Sequence, residues 1–140
     1  MNVILFDNHR ENLFPLSLTR PISDFRVGIL TIKEKWETYY SNVSFQTADY
    51  LLEKFPCSIQ KKNLWINSSI LPNEDLVTEI NSLRKGEMLK KGDHIVAINN
   101  HEFITSKLDE IESHVKYNQI NHLPDIFSLN GEEIKNDFNR

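Results

Sequence analysis

The hydrophobic positions fall into short runs with two different periods. Val3 to Phe6 are consecutively apolar and predict a strand covered on both faces, as in a parallel sheet. A long loop from Asp7 to Gly28 follows, in which Pro15 and Pro21 exclude a regular helix. Stretches of that length without a regular element are usually functional or disordered. Leu13, Phe14, Leu16, Leu18 and Phe25 favour a packed functional loop. From there the spacing of Ile29, Ile32, Trp36 and Tyr39 or Tyr40 predicts a helix, with Lys33, Glu34, Lys35 and Glu37 facing water. Val43 and Phe45 alternate with polar neighbours as a second strand. Thr47 can cap a short helix carrying Tyr50, Leu51, Leu52 and Phe55, which Pro56 ends.

Asn63 to Asn67, centred on Leu64, Trp65 and Ile66, reads as a third strand, and Ser68 to Pro72 as a loop. Asn73 caps a helix whose first turn holds Glu74 and Asp75 and whose buried stripe is Leu76, Val77, Ile80 and Leu83. Lys90 to Asp93 form a turn between Met88-Leu89 and a strand from Ile95 to Ile98, a hairpin signal. Phe103 to Ile120 reads as a short helix around Leu108 and Ile111, then a strand from Val115 to Ile120. Pro124 suits the first turn of a last helix, with Phe127, Gly131, Ile134 and Phe138 at i, i+4, i+7 and i+11. Alternation of strands and helices predicts an α/β, Rossmann-like domain, a mostly parallel sheet flanked by helices. Ligands of such sheets bind beyond the carboxyl ends of the strands, so the loops after Phe6 and after Ile66 carry the interest.

Composition narrows the partners. A chain of 140 residues with 39% hydrophobic and 26% charged residues fits one domain of ordinary size, and no apolar run approaches a membrane span. Met1 leads straight into a strand pattern without a secretory signal, and Cys57 has no second cysteine to pair with; both favour a cytoplasmic protein. A net charge of -4 argues against nucleic acid but leaves room for small anions, since a site's field is set by nearby charges. His9, His94, His101, His114 and His122 show no ligand spacing for zinc. Asp7 after a strand lacks the second aspartate of a phosphatase, since His9 stands two residues on.

The chemistry concentrates in the long loop. Arg20 and Arg26 stand six residues apart with Asp24 between them. Arginine's planar fork donates two parallel hydrogen bonds to phosphate oxygens. The alternative is that both pair with Asp24 and Glu11 as ordinary loop arginines.

Leu18-Thr19-Arg20-Pro21, then Asp24, Arg26-Val27-Gly28, Leu30-Thr31-Ile32 and Glu34-Lys35-Trp36 resemble the sugar nucleotidyltransferase domain of alternative GlmU-like proteins, which are similar to UDP-N-acetylglucosamine diphosphorylases. Asn67 to Pro72, Lys85-Gly86-Glu87, Pro124-Asp125-Ile126-Phe127 and Asp137-Phe138 extend the resemblance over nearly the whole chain. It implies transfer of a uridylyl group from UTP to N-acetylglucosamine-1-phosphate with release of pyrophosphate. By the same resemblance Arg20 and Arg26 would be catalytic, Arg26 replacing a family lysine, and Asp7, Asn8, Thr19, Arg20, Asp24 and Arg26 would surround the nucleotide. The family's loop glycines are absent, with Asp7-Asn8-His9-Arg10 in their place. Magnesium is the implied cofactor, and Asn67 stands where a metal-binding aspartate is expected; the other reading of Asn67 is a strand-end turn residue.

Because complete domains of that family are longer, residues 1–140 are expected to be the N-terminal part of a nucleotidyltransferase-like domain, with exposed strand edges that favour a homo-oligomer. The alternatives are a non-catalytic nucleotide- or sugar-phosphate-binding module, a half-domain that depends on a partner, and a structural domain whose loop has drifted.

Overall fold

The computed structural model describes residues 2–7, 13–14, 17, 21–46, 49–51, 57–104 and 106–138. Its centre is the apolar run that opens the chain, strand β1 (Asn2–Phe6), every residue of which is buried. β1 pairs in parallel with β4 (Asn42–Gln46) on one side and β5 (Asn63–Asn67) on the other. β5 then pairs antiparallel with β7 (His94–Asn99), β7 antiparallel with β6 (Glu87–Lys91), and β6 parallel with the edge strand β8 (Asp109–Glu112). The order β4-β1-β5-β7-β6-β8 is a mixed, predominantly parallel sheet, and with its helices it makes an α/β, Rossmann-like fold.

The period-2 geometry of β1 sends Val3 and Leu5 to one face and Ile4 and Phe6 to the other. The first face carries the larger core. Onto it pack Ile32 and Trp36 of helix α1 (Ile32–Glu37), Leu76, Val77 and Ile80 of α2 (Glu74–Asn81), and, partly buried, Ile126 and Leu129 of α3 (Leu123–Phe138). The second face is smaller and aromatic, with the Phe103 ring 4.8 Å from Phe6 and 5.4 Å from Trp65.

Several expectations are corrected. The first helix starts at Ile32, not Ile29, because Arg26–Val27 (β2) and Leu30–Thr31 (β3) pair as a small antiparallel ribbon. Thr31 then caps α1 in a capping box with Glu34. The segment around Leu108 and Ile111 is the strand β8 rather than a helix, and Val115 to Ile120 contributes one isolated bridge, Gln119 with Ile70, rather than a strand. Lys35, expected in water, is fully buried. α3 forms as its pattern predicts but rotated: Phe127 and Phe138 are 81% and 78% exposed, while Glu133 and Asp137 are buried. Of the short helix expected after Thr47, Asp49–Leu51 forms a 3-10 turn, and Thr47, Leu52, Phe55 and Pro56 lie outside the described residues.

Candidate functional site

At the carboxyl end of β1 the chain turns into the arginine-bearing loop, and Asp7 ties that exit together. Its Oδ1 accepts the backbone N–H of Ile22 at 3.2 Å and the Ser68 hydroxyl at 2.8 Å. Ser68 N–H in turn donates to the Phe6 carbonyl at 2.9 Å, and Asp7 N–H to the Gln46 carbonyl at 3.0 Å. One carboxylate thus joins the end of β1, the far part of the long loop and the loop after β5. Trp36 Nε1 adds a hydrogen bond from α1 to the Ile70 carbonyl at 3.0 Å.

Asn67, at the end of β5, is buried, and three of its four side-chain hydrogen-bonding sites are in use. Its Nδ2 donates to the Ile95 carbonyl at 3.0 Å, and its Oδ1 accepts the Ser69 N–H at 3.1 Å and the Ser69 hydroxyl at 2.8 Å. A side chain used in this way holds the turn after β5 against β7. No three His, Cys, Asp or Glu side chains gather as a metal site among the described residues.

Arg26 opens β2 and lies on the surface, its side chain 61% exposed. Nη1 donates to the Ile29 carbonyl, and Nη2 lies 4.0 Å from Glu34 Oε1. The backbone hydrogen bond with Thr31 lowers the pKa of Glu34, outweighing its slight burial. Asp24 is half-buried in the 3-10 turn Ile22–Asp24. Asn8, Thr19 and Arg20, and with them Glu11, lie outside the described residues.

The inner half of the loop is fixed by a buried ionic cluster. Lys35 Nζ donates to Asp137 Oδ1 at 2.6 Å and Oδ2 at 2.8 Å, and lies 3.0 Å from Glu133 Oε1. Its three protons are therefore matched. Among the described residues Lys35 is the cation paired with both carboxylates, and neutral donors add to it. Asp137 Oδ2 accepts the backbone N–H of Ile29 at 2.8 Å and of Leu30 at 3.0 Å; Glu133 Oε2 accepts Asn136 Nδ2 at 2.8 Å and Asn118 Nδ2 at 3.3 Å. Burial pushes the Asp137 carboxyl up, but the Lys35 ammonium and the two loop amides overcome it and hold it below the usual carboxylate range.

Gly28 makes this contact possible. At φ +77° it donates to Asn130 Oδ1 at 2.9 Å, and a Cβ there would lie 2.7 Å from the backbone carbonyl carbon of Glu133. Only glycine lets α3 approach so closely. Behind α3 and the loop after β5 lies a polar hollow of about 520 Å³, lined by Asn73, Lys91, Lys116, Tyr117, Asn118 and Asn136 among others.

Residues 3–140 match the model of the sugar nucleotidyl transferase family. The chain belongs to that family. No curated protein matches it. Asp7 and Ser68 fasten the loop between β1 and α1 at one end, and Lys35, Glu133 and Asp137 at the other. The pattern of single residues did not single out the second fastening, yet it held a signal. Lys35 sits three residues after Ile32 and one before Trp36, so helical spacing places it on the buried face.

Proposed function

We propose that the chain is a uridylyltransferase domain that joins UTP and N-acetylglucosamine-1-phosphate to give UDP-N-acetylglucosamine and pyrophosphate. The observation that carries this reading is the Asp7 junction, because it draws the arginine loop to the carboxyl ends of β1 and β5, where α/β sheets bind ligands. The sugar-phosphate oxygen attacks the α-phosphorus, the bond to the bridging oxygen breaks, and pyrophosphate leaves with the charge. Arg20 and Arg26 hold the phosphates in line and offset that charge. Arg26 must exchange its bond to the Ile29 carbonyl for one to phosphate, a modest rearrangement for an exposed side chain. Thr19, Asn8, Asp24 and Asp7 line the nucleotide's approach.

Magnesium enters this reading as the triphosphate complex, held chiefly by phosphate oxygens. The Asn67 amide oxygen already accepts two hydrogen bonds from Ser69 and adds no charge to it. The hollow is lined by Asn73, Asn118, Asn136 and Lys116 and also by Glu132 and Glu133, a mixture of donors and acceptors that suits the hydroxyls of a sugar.

The test is pyrophosphate release from UTP, N-acetylglucosamine-1-phosphate and magnesium, by wild type and Arg20→Ala. Loss of one transition-state donor should lower turnover by about 10²–10³. Binding of UTP without turnover would make the chain a nucleotide-binding module or a half-domain in need of a partner. No binding and no turnover with any nucleoside triphosphate would overturn the reading.

A further inference from the structure

The opposite end of the sheet carries a cation cluster that the proposed transfer does not use. Lys61 and Lys62 precede β5, Arg84 and Lys85 lie in the turn between α2 and β6, and His101 follows β7; together they line a concavity of about 180 Å³. Among the described residues no acidic side chain lines it, in a protein whose net charge is -4. Among the described residues, none of these four Lys and Arg side chains is in an ion pair. The carboxylate of Glu87, on the adjoining strand, accepts the backbone N–H of Arg84.

Like charges gathered this way repel, so something must hold them, and the backbone beneath them is pinned by buried amides. Asn63, fully buried, uses all four hydrogen-bonding sites of its side chain: Nδ2 donates to the carbonyls of Gln60 and His101, both at 2.8 Å, and Oδ1 accepts Gln60 N–H at 3.0 Å and Asn2 Nδ2 at 2.8 Å. This joins the Lys61-Lys62 turn to the His101 turn. His101 Nδ1 lies 2.9 Å from the Gln60 carbonyl, which can only accept, so Nδ1 carries the hydrogen. Asn99 Nδ2 donates to the Leu83 carbonyl at 3.0 Å, and Trp65 Nε1 to the Asn100 carbonyl at 3.0 Å, which fixes the Arg84-Lys85 turn beside them. The cations are thus presented on a frame ordered before any ligand arrives, the condition under which electrostatic binding is least offset by ordering.

We propose that this concavity is a second anion site, for a compact multiply charged phosphate such as a di- or triphosphate group. The volume lies below the ~300 Å³ at which pockets for larger organic ligands begin. The absence of acids favours full charge over a neutral ligand. The site is separated from the nucleotide loop by the length of β1, on the order of 16 Å for its five residues.

The experiment is a titration with sodium tripolyphosphate, without magnesium, followed by calorimetry and by the backbone amide resonances of Gly86, in the cationic turn, and Gly28, in the nucleotide loop. Wild type should shift the Gly86 resonance. Lys62→Gln/Lys85→Gln should weaken that binding by about tenfold or more, because charge-assisted hydrogen bonds are lost. Lys107→Gln/Lys135→Gln, which removes the same charge elsewhere, should change it less than about twofold. Shifts confined to Gly28, equal weakening in both variants, or no binding at all would each overturn the proposal. Because Gly28 and Gly86 report separately, failure here is distinct from failure of nucleotide binding.

Discussion

The two ends of the sheet are both tied by buried polar side chains, one with ions and the other with neutral amides. Around the loop that follows β1, Lys35 faces Glu133 and Asp137. At the amino end, Asn63 binds Asn2, Gln60 and His101 without any charge. Ions reach further and bind more strongly to backbone amides, which is how a single carboxylate, Asp137, can gather Lys35, Ile29 and Leu30 at once. They also depend on every partner, since a buried charge left alone costs much more than a buried amide left alone. The loop end is therefore the more sensitive of the two to substitution and to acid.

The largest effect should come from Lys35→Met, which keeps the apolar stem and takes the ammonium away from the buried carboxylates of Glu133 and Asp137. We expect a loss of about 3–5 kcal/mol in urea unfolding. A loss below about 1 kcal/mol would mean that the cluster relaxes to solvent and does not anchor the loop. Acid should act on the same cluster. Asp137 has a folded pKa below its unfolded value, so its contribution is complete above the ordinary carboxylate range, near pH 4, and is lost as pH falls through the lowered value. The stability difference between wild type and Asp137→Asn should hold steady from about pH 7 to pH 5 and shrink below about pH 4. A difference that ignores pH would contradict the assignment.

Asn63→Ala sets the neutral end against this. It strands several polar groups, and we expect about 1–3 kcal/mol, with no change of slope between pH 5 and 8. If Asn63→Ala proved costlier than Lys35→Met, the ranking of ions over amides would be reversed for this fold.

How much of this could be read from the chain depends on the residue. β1, β5 and α2 were legible to within a residue, because Val3 to Phe6, Leu64 to Ile66 and the Asn73 cap each carry one unopposed signal. β8 was not: Asp109, Glu110 and Glu112 favour no strand, and their pairing with β6 is a charged edge set by tertiary contact. α3 was legible as a helix but misread in rotation. A stripe through Phe127, Gly131, Ile134 and Phe138 differs by one residue, about 100°, from the buried face through Ile126, Leu129, Glu133 and Asp137. The polar residues won because they meet Lys35, and a hydrophobic pattern cannot register a buried ion pair. For the site, the strand ends at Asp7 and Asn67 were legible, whereas the use of the Asn67 amide on Ser69 and Ile95 emerged only from the packing of β5 on β7.

The smallest expected effect on stability is also the sharpest test of the loop. Arg26 is exposed, and its pair with Glu34 spans 4.0 Å on the surface, a geometry worth little against solvent. Glu34 does its structural work through Thr31, where its Oε1 accepts the backbone N–H at 2.9 Å. Arg26→Ala should therefore shift urea unfolding by no more than about 0.5 kcal/mol. If the guanidinium serves phosphate, the same variant should weaken UTP binding by about tenfold or more, since a charge-assisted hydrogen bond is lost. Stability preserved and affinity lost would place the function in the side chain itself. Affinity unchanged would leave Arg26 as a loop residue fastened to Ile29 and move the phosphate chemistry onto Arg20 alone.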